Sequence, residues 1–216
     1  KAPTFRHKEY KEYKAKRIKQ PQELYDQMIL VKDLLRVMKI AIFEKEGFEA
    51  DDIIATLATQ NNDENLIVTG DMDTLQLVND KTKIYTMKKG VNDIVVYDIA
   101  AVWERYGLKP EQMIDYKALR GDPSDNILGV KGIGEKTAGE LIKKFGSLEG
   151  VYEKIDKLAS EKISQSVIEK LKSGKKDALF SKYLVTLIKD VPIDFKLEDC
   201  ELKDYNNIAT RELLAE

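Results

Sequence analysis

The sequence predicts an α/β fold: a mostly parallel sheet with flanking helices, followed by a helical lobe. Three observations predict it. Short apolar runs of strand length alternate with amphipathic helical patterns up to about residue 97. Beyond Asp98 the strand signal almost vanishes. A glycine-rich turn then stands between two helical stretches.

Taken in order, residues 1–20 are a basic arm: Lys1, Arg6, Lys8, Lys11, Lys14, Lys16, Arg17 and Lys19 face only Glu9 and Glu12 as acids. Leu24, Met28, Val31, Leu35 and Met38 recur at four- and three-residue steps, an amphipathic helix. Ile40-Ala41-Ile42-Phe43 reads as a strand. Glu49 to Gln60 reads as a helix with acids in its first turn and Ile53, Ile54 and Leu57 inward. Leu66-Ile67-Val68-Thr69 is a second strand, closed by Gly70, and Lys83–Met87 and Ile94–Tyr97 flank a turn at Lys89-Gly90. Asp98 caps a helix through Trp103 and Tyr106 that Gly107 stops. Pro110 opens the next helix, which runs to Arg120. A helix from Glu135 to Phe145 and further helices to about Ile188 complete the pattern. The division expected is 1–97 for the α/β lobe and 98–216 for the helical lobe.

Composition bounds the chemistry. At 216 residues, 43% hydrophobic and 34% charged, the chain can bury a core. No stretch approaches the twenty or so apolar residues of a membrane helix, and no signal-peptide pattern opens the sequence. Cys200 is the single cysteine and His7 the single histidine, which excludes an intrachain disulfide and the common zinc arrangements. What remains is carboxylate, hydroxyl and backbone chemistry, suited to hard, oxygen-bound cations. The net charge of −2 hides a segregation of charge: a basic arm beside acidic motifs suits a polyanion-binding, metal-using protein, or else is a solvated terminus. Cys200 is expected as a small, partly buried hydrophobe, His7 as an exposed arm residue, and the arm itself as mobile.

Three acidic motifs stand out: Glu49-Ala50-Asp51-Asp52 at a helix start, Gly70-Asp71-Met72-Asp73 after a strand, and Gly121-Asp122-Pro123-Ser124-Asp125-Asn126 after a helix. Each alone also has a structural reading, as dipole partner or turn former. Open α/β sheets place their function beyond the carboxyl ends of strands; Asp71 and Asp73 stand at such an end, Glu49 follows the strand Ile40–Phe43 by a short loop, and if those strands are parallel neighbours both clusters share one rim. Crowded carboxylates repel, and two divalent ions about 4 Å apart would neutralise them and act on a phosphodiester. The stretch Gly129-Val130-Lys131-Gly132-Ile133-Gly134-Glu135-Lys136-Thr137 places glycines and lysines ahead of a helix start, which suits a phosphate backbone. It is not a Walker loop, since no strand precedes it and no Gly-Lys-Ser/Thr follows. The other reading is an ordinary helix–helix turn.

The motifs Pro3-Thr4-Phe5-Arg6, Tyr13-Lys14-Ala15-Lys16-Arg17, Glu49-Ala50-Asp51-Asp52, Thr69-Gly70-Asp71-Met72-Asp73, Gly121-Asp122-Pro123-Ser124-Asp125-Asn126 and Gly132-Ile133-Gly134-Glu135-Lys136-Thr137-Ala138 come in this order. In that order they resemble the 5′-3′ exonuclease domain of bacterial DNA polymerase I, of the flap endonuclease group, over roughly residues 1–190. The resemblance implies a PIN-like nuclease lobe and a helix-three-turn-helix at about 110–146. It implies structure-selective hydrolysis of DNA by a two-metal mechanism in replication and repair. Glu49, Asp51 and Asp52 would belong to one site for Mg2+ or Mn2+, and Asp71, Asp73, Asp122 and Asp125 would supply or support the second. Arg6, Lys14 and Arg17 would act in catalysis, with Tyr10 and Tyr13, on an arch gripping the 5′ end. Gly129, Lys131, Gly132, Ile133, Gly134, Lys136 and Thr137 would bind duplex backbone, with K+ on loop carbonyls. The implied partners are DNA with a 5′ flap, nick or RNA primer and a polymerase domain in cis, in the bacterial cytoplasm at the nucleoid.

Two departures from the pattern stand. The family begins with a strand carrying a metal-binding Asp and has a second Asp just ahead of the Pro-Thr-Phe-Arg motif; both would precede Lys1. Leu128 stands where the family usually has Pro. Two other readings stay open: a DNA-backbone-binding piece without catalysis, and a flap nuclease not fused to a polymerase.

Overall fold

The computed structural model describes residues 3–87 and 93–215, so Lys1 of the arm and the turn expected at Lys89-Gly90 lie outside the described residues. The chain opens with a short helix α1 (Phe5–Glu9) and then α2 (Gln22–Val37) and α3 (Ala50–Gln60). Three strands follow, β1 (Asn65–Val68), β2 (Thr82–Met87) and β3 (Ile94–Tyr97). Helices α4 (Ile99–Tyr106), α5 (Met113–Arg120), α6 (Glu135–Phe145), α7 (Leu148–Glu153), α8 (Gln165–Ser173), α9 (Lys175–Val185) and α10 (Ile208–Leu213) complete it.

The sheet runs β1-β2-β3, with β1 parallel and β3 antiparallel to β2. It is thus mixed where a mostly parallel sheet is expected. The reason is connection length. The path from Met87 to Ile94 is too short for the crossover of a dozen or more residues that a parallel pair needs. Between β1 and β2 the chain instead inserts a 3-10 turn, Met72–Leu77, whose Leu75 and Leu77 enter the core; periodicity gave no sign of it. The strand expected at Ile40–Phe43 does not form: the segment is irregular, and Ile40 N–H donates back to the Leu35 carbonyl at 2.9 Å. A strand needs a ladder, and no described strand lies beside this one.

Local signals elsewhere carry over. The Asp98 side chain accepts from Ala101 N–H at 2.8 Å to start α4, and Gly107 ends it in the left-handed region at φ 63°. Helix α2 forms as its period demands, yet Leu24, Met28 and Val31 stay exposed; α10 packs near its end, where Asn207 Nδ2 donates to the Val37 carbonyl at 3.2 Å. One core holds the rest: Ala55, Ile67, Leu75, Ile84 and Val102 join Leu119, Leu141, Ile142 and Leu171 without a break between the sheet and the helices. Helix α5 packs along α9, so the C-terminal end of α9 is brought up against the start of α3. That junction positions the site. No helix among the described residues is long and apolar enough to cross a membrane.

Candidate metal and nucleic-acid site

The basic arm is anchored, not loose. Arg6, expected on a gripping surface, is 1% exposed. Its guanidinium meets the Asp52 carboxylate with two bonds, Nη1 to Oδ2 at 2.7 Å and Nη2 to Oδ1 at 2.8 Å. It also donates to the carbonyls of Leu184 (2.8 Å) and Thr186 (2.9 Å). Asp52, 0% exposed, further accepts from the backbone N–H of Glu49 and of Ile188. Every oxygen of Asp52 is therefore engaged inside the protein, and the structure makes this pair a clamp between α1, α3 and the end of α9 where a metal ligand and a DNA contact are expected. The physical reason is desolvation, since a buried charge persists only when paired and fully hydrogen-bonded.

Tyr13 is also interior. Its hydroxyl donates to Glu49 Oε2 at 2.8 Å and lies 3.3 Å from Asp125 Oδ2, so its ring is not free to stack on a base. Burial first, then the charges of Glu49 and Asp125, push its pKa far up, which keeps it a neutral donor. His7 is half-buried rather than exposed, bonded to Thr4 and edge-on to the Tyr13 ring. Cys200, at the other end, is half-buried.

Around Tyr13 a pocket opens, lined by Lys14, Glu49, Asp51, Asp71, Asp73 and Asp125, with Leu184 and Val185 closing one wall. Five of the seven expected acids meet here, while Asp52 and Asp122 do not line it. Most are held by the chain's own cations. Lys14 reaches Glu49 at 2.6 Å and Asp125 at 3.5 Å, and Arg17 reaches Asp125 at 2.5 Å. Lys117, which the sequence did not mark, pairs with Asp73 and, at 3.1 Å, with Asp122. Burial alone would raise the Asp122 carboxyl, but the Ser124 hydroxyl and Lys117 hold it below the usual range. Among the described residues no three acids converge as a ready-made metal group. Lys14 holds this arrangement with a left-handed backbone, φ 56°, fixed by its N–H on the Asp125 carbonyl at 2.9 Å.

Asp51 and Asp71 differ from the others. The Asp51 carboxylate makes no ion pair or hydrogen bond among the described residues, and burial followed by the Asp71 charge raises its pKa to about 6. Asp71 is raised too, by burial first, against the opposing pull of Lys117. The Asp71 carboxylate caps the 3-10 turn through Asp73 N–H at 2.9 Å. Two penalised carboxylates without a cation of their own fit a hard divalent ion. The sign of the effect on stability follows. A folded-state pKa raised above the ordinary 3.8 leaves stability intact at low pH and removes it as pH climbs toward about 6. The melting temperature of metal-free protein is expected to fall between pH 4 and 6; Asp51→Asn should flatten that fall, and millimolar Mg2+ should offset it at pH 7 but not at pH 4. Thermal melts with and without Mg2+ check this; a flat profile for the parent chain counts against it.

The glycine turn divides into inner and outer residues. Gly129 is buried at φ 59°, and a Cβ there would lie 2.2 Å from the Gly121 nitrogen, so the two glycines interlock. Its N–H donates to Ser181 Oγ at 3.0 Å, inward and away from any ligand. Ile133 is buried as well. Gly129 and Ile133, expected among the DNA contacts, are therefore buried and shape the turn from inside. Lys131, Gly132, Gly134 and Lys136 are exposed, Thr137 is half-buried, and α6 opens at Gly134 with no side-chain cap on its first N–H groups. Leu128, at the position that departs from the family pattern, is an exposed loop residue.

Two family profiles match: "5′-3′ exonuclease, N-terminal resolvase-like domain" over residues 1–107 and "5′-3′ exonuclease, C-terminal SAM fold" over residues 108–208. The chain belongs to the 5′-3′ exonuclease family. Within it, this 5′-3′ exonuclease chain is 44% identical to DNA polymerase I of Bacillus subtilis (strain 168) over 206 residues, 94% of this chain and 23% of that protein. DNA polymerase I of Caldicellulosiruptor bescii is 44% identical over 218 residues, 98% of this chain and 25% of that one. The chain thus spans about a quarter of the length of these relatives. Among solved structures, T5 5′-exonuclease with bound divalent zinc ions shares 26% identity at a TM-score of 0.68, covering 99% of this chain and 80% of that one. The catalytic core of Rad2 in complex with DNA substrate shares the fold at a TM-score of 0.57, with 19% identity over 100% of this chain and 75% of that one. The expected architecture, a PIN-like α/β part and a helical part, is the one these exonuclease-family folds have. The family is one of metal-dependent nucleases.

Proposed function

We propose that this chain cuts DNA phosphodiesters at 5′ ends and flaps, as the 5′-3′ exonuclease part of a bacterial DNA polymerase I whose polymerase domain lies in cis. The observation that carries the reading is that Asp51 and Asp71 line one pocket beside Lys14, with burial pushing both carboxyls up and the Asp71 charge adding to it at Asp51. Both would hold Mg2+ or Mn2+, with Glu49, Asp73 and Asp125 as further oxygen donors once a phosphate draws Lys14, Arg17 and Lys117 away. A bound divalent cation supplies a lowered water pKa and neutralises charge on the phosphoryl oxygens. The chain's own groups do the rest. Lys14, 13% exposed, aims an ammonium into the pocket, and Arg17, 54% exposed, pairs with Asp125 from the solvent side. Tyr13 fixes Glu49 and Asp125 relative to each other, and Arg6 positions α3 beneath them.

The turn before α6 suits duplex backbone: Lys131 and Lys136 are exposed beside uncapped N–H groups. Lys136→Ala is expected to weaken DNA binding equally on all sequences and to reduce the salt slope by about one, which titrations at several salt concentrations would check. A K+ ion on the turn carbonyls would share Gly132 O with Lys170 Nζ, 3.3 Å away.

A second reading, DNA-backbone binding without catalysis, is favoured by one observation: among the described residues no three acids converge on one ion position. One experiment separates the two. A 5′-labelled flap duplex is incubated with the chain in Mg2+ or Mn2+ and again in EDTA. Short labelled products only with metal support the nuclease; a shifted but uncut duplex in both supports the binder.

A further inference from the structure

Beside the carboxylate pocket, five aromatic rings form an unbroken series of contacts. Phe48 and Phe5 lie 6.1 Å apart, Phe5 and Tyr183 6.2 Å, Tyr183 and Phe180 6.4 Å, and Phe180 and Tyr10 5.6 Å. Phe180 and Tyr183 sit on one face of α9, three residues apart, with their planes only 17° from parallel. They are 39% and 47% exposed, although rings of this size usually gain most by burial. Exposed Lys176 lies on the same face one turn earlier, and exposed Lys8 and Lys11 flank Tyr10 in sequence. The series comes up to the pocket at its middle, at Phe5 and Tyr183: Arg6, which lines the pocket, lies 4.5 Å over the Phe5 ring, and Leu184 and Val185, next to Tyr183 in sequence, line it too.

Exposed ring faces interleaved with cations suit a polyanion whose flat groups are free to stack. A duplex keeps its bases paired, and an apolar protein partner has no use for the lysines. A single strand has both features: each base offers a face to a ring whatever the sequence, and the phosphates answer the cations. We propose that this series, led by Phe180 and Tyr183, is a stacking track for the unpaired bases of single-stranded DNA beside the cleavage pocket. The proposal rests on the nuclease reading, to which it adds the path of the single strand.

The test is fluorescence anisotropy in EDTA, with a duplex bearing a single-stranded 5′ flap and a blunt duplex of the same paired sequence. The double variant Phe180→Leu/Tyr183→Leu keeps apolar bulk and loses both ring faces. It is expected to bind the flapped DNA at least about fivefold more weakly and the blunt duplex as the parent does. Tyr183→Phe, which keeps the face, is expected to retain the flap affinity. Unchanged flap binding by the double variant, or an equal loss on both DNAs, overturns the track. Should the double variant not melt cooperatively, Phe180→Trp takes its place: its emission is expected to be quenched on adding the flapped DNA, and unaltered emission overturns the proposal. A parent chain that binds neither DNA sinks the nuclease reading and the track together. A parent that binds and cuts, with the leucine variant equal to it, sinks the track alone.

Discussion

Arg6→Ala is expected to destabilise the protein by about 3–5 kcal/mol, because it leaves Asp52 charged and unpaired in the interior. The pair is fully enclosed, at 1% and 0% exposure. Arg6 is also the only side chain among the described residues that joins α1, α3 and the carbonyls at the end of α9 at once. Losing it therefore unties three elements and frees the arm that carries Lys14 and Arg17. Arg6→Lys should rescue little, since an ammonium cannot form the two parallel bonds of a guanidinium or reach both carbonyls. Arg6→Met combined with Asp52→Leu should recover part of the loss by removing the orphaned charge. Urea unfolding of the three variants reads this out. A cost under about 1 kcal/mol for the alanine variant would mean that Asp52 finds water or another cation.

Asp71→Asn is expected to lower flap cleavage about a hundredfold or more while DNA affinity holds or rises. The loss follows from removing one of the two carboxylates that lack a cation of their own, a change worth several kcal/mol when a divalent ion must be held against a phosphate ester. Affinity holds because one less negative charge faces the phosphate. The same variant should melt higher without metal, since the amide keeps an acceptor for Asp73 N–H and relieves the repulsion on Asp51. A gain in stability with a loss of activity is the signature of a strained functional site. Single-turnover cleavage beside thermal melts would show it; cleavage within tenfold of the parent would remove Asp71 from the metal site.

Helix starts and stops were legible because they are local. The Asp98 cap, the Gly107 stop and the frame of α6 depend on a few neighbouring residues, whereas the helix expected from Pro110 begins as a 3-10 turn, Pro110–Gln112, ahead of α5. The strand expected at Ile40–Phe43 and the buried face expected on α2 failed for the opposite reason. Apolar pattern states what a segment would bury, not whether a partner lies beside it. Among the acids, Glu49, Asp51, Asp71, Asp73 and Asp125 line one pocket, because each follows a helix start, a strand end or a turn at the same rim. It could not tell Asp52 from Asp51. One residue of helix rotation turns the first into the core against Arg6 and the second into the pocket. Lys117 was missed for want of any local signal, as its bond to Asp73 joins residues far apart in sequence.

By itself the amino-acid sequence determined the alternation of elements, the chemistry open to a chain with one cysteine and one histidine, and the family to which its motifs belong. Only the tertiary structure decided which charges are spent inside the protein and which remain for a ligand. Charge type is a property of a residue, but its availability depends on what burial and long-range pairing place within a few ångströms of it. For Arg6, Asp52 and Tyr13 that neighbourhood is internal; for Asp51, Asp71 and the rings of α9 it leaves room for something else.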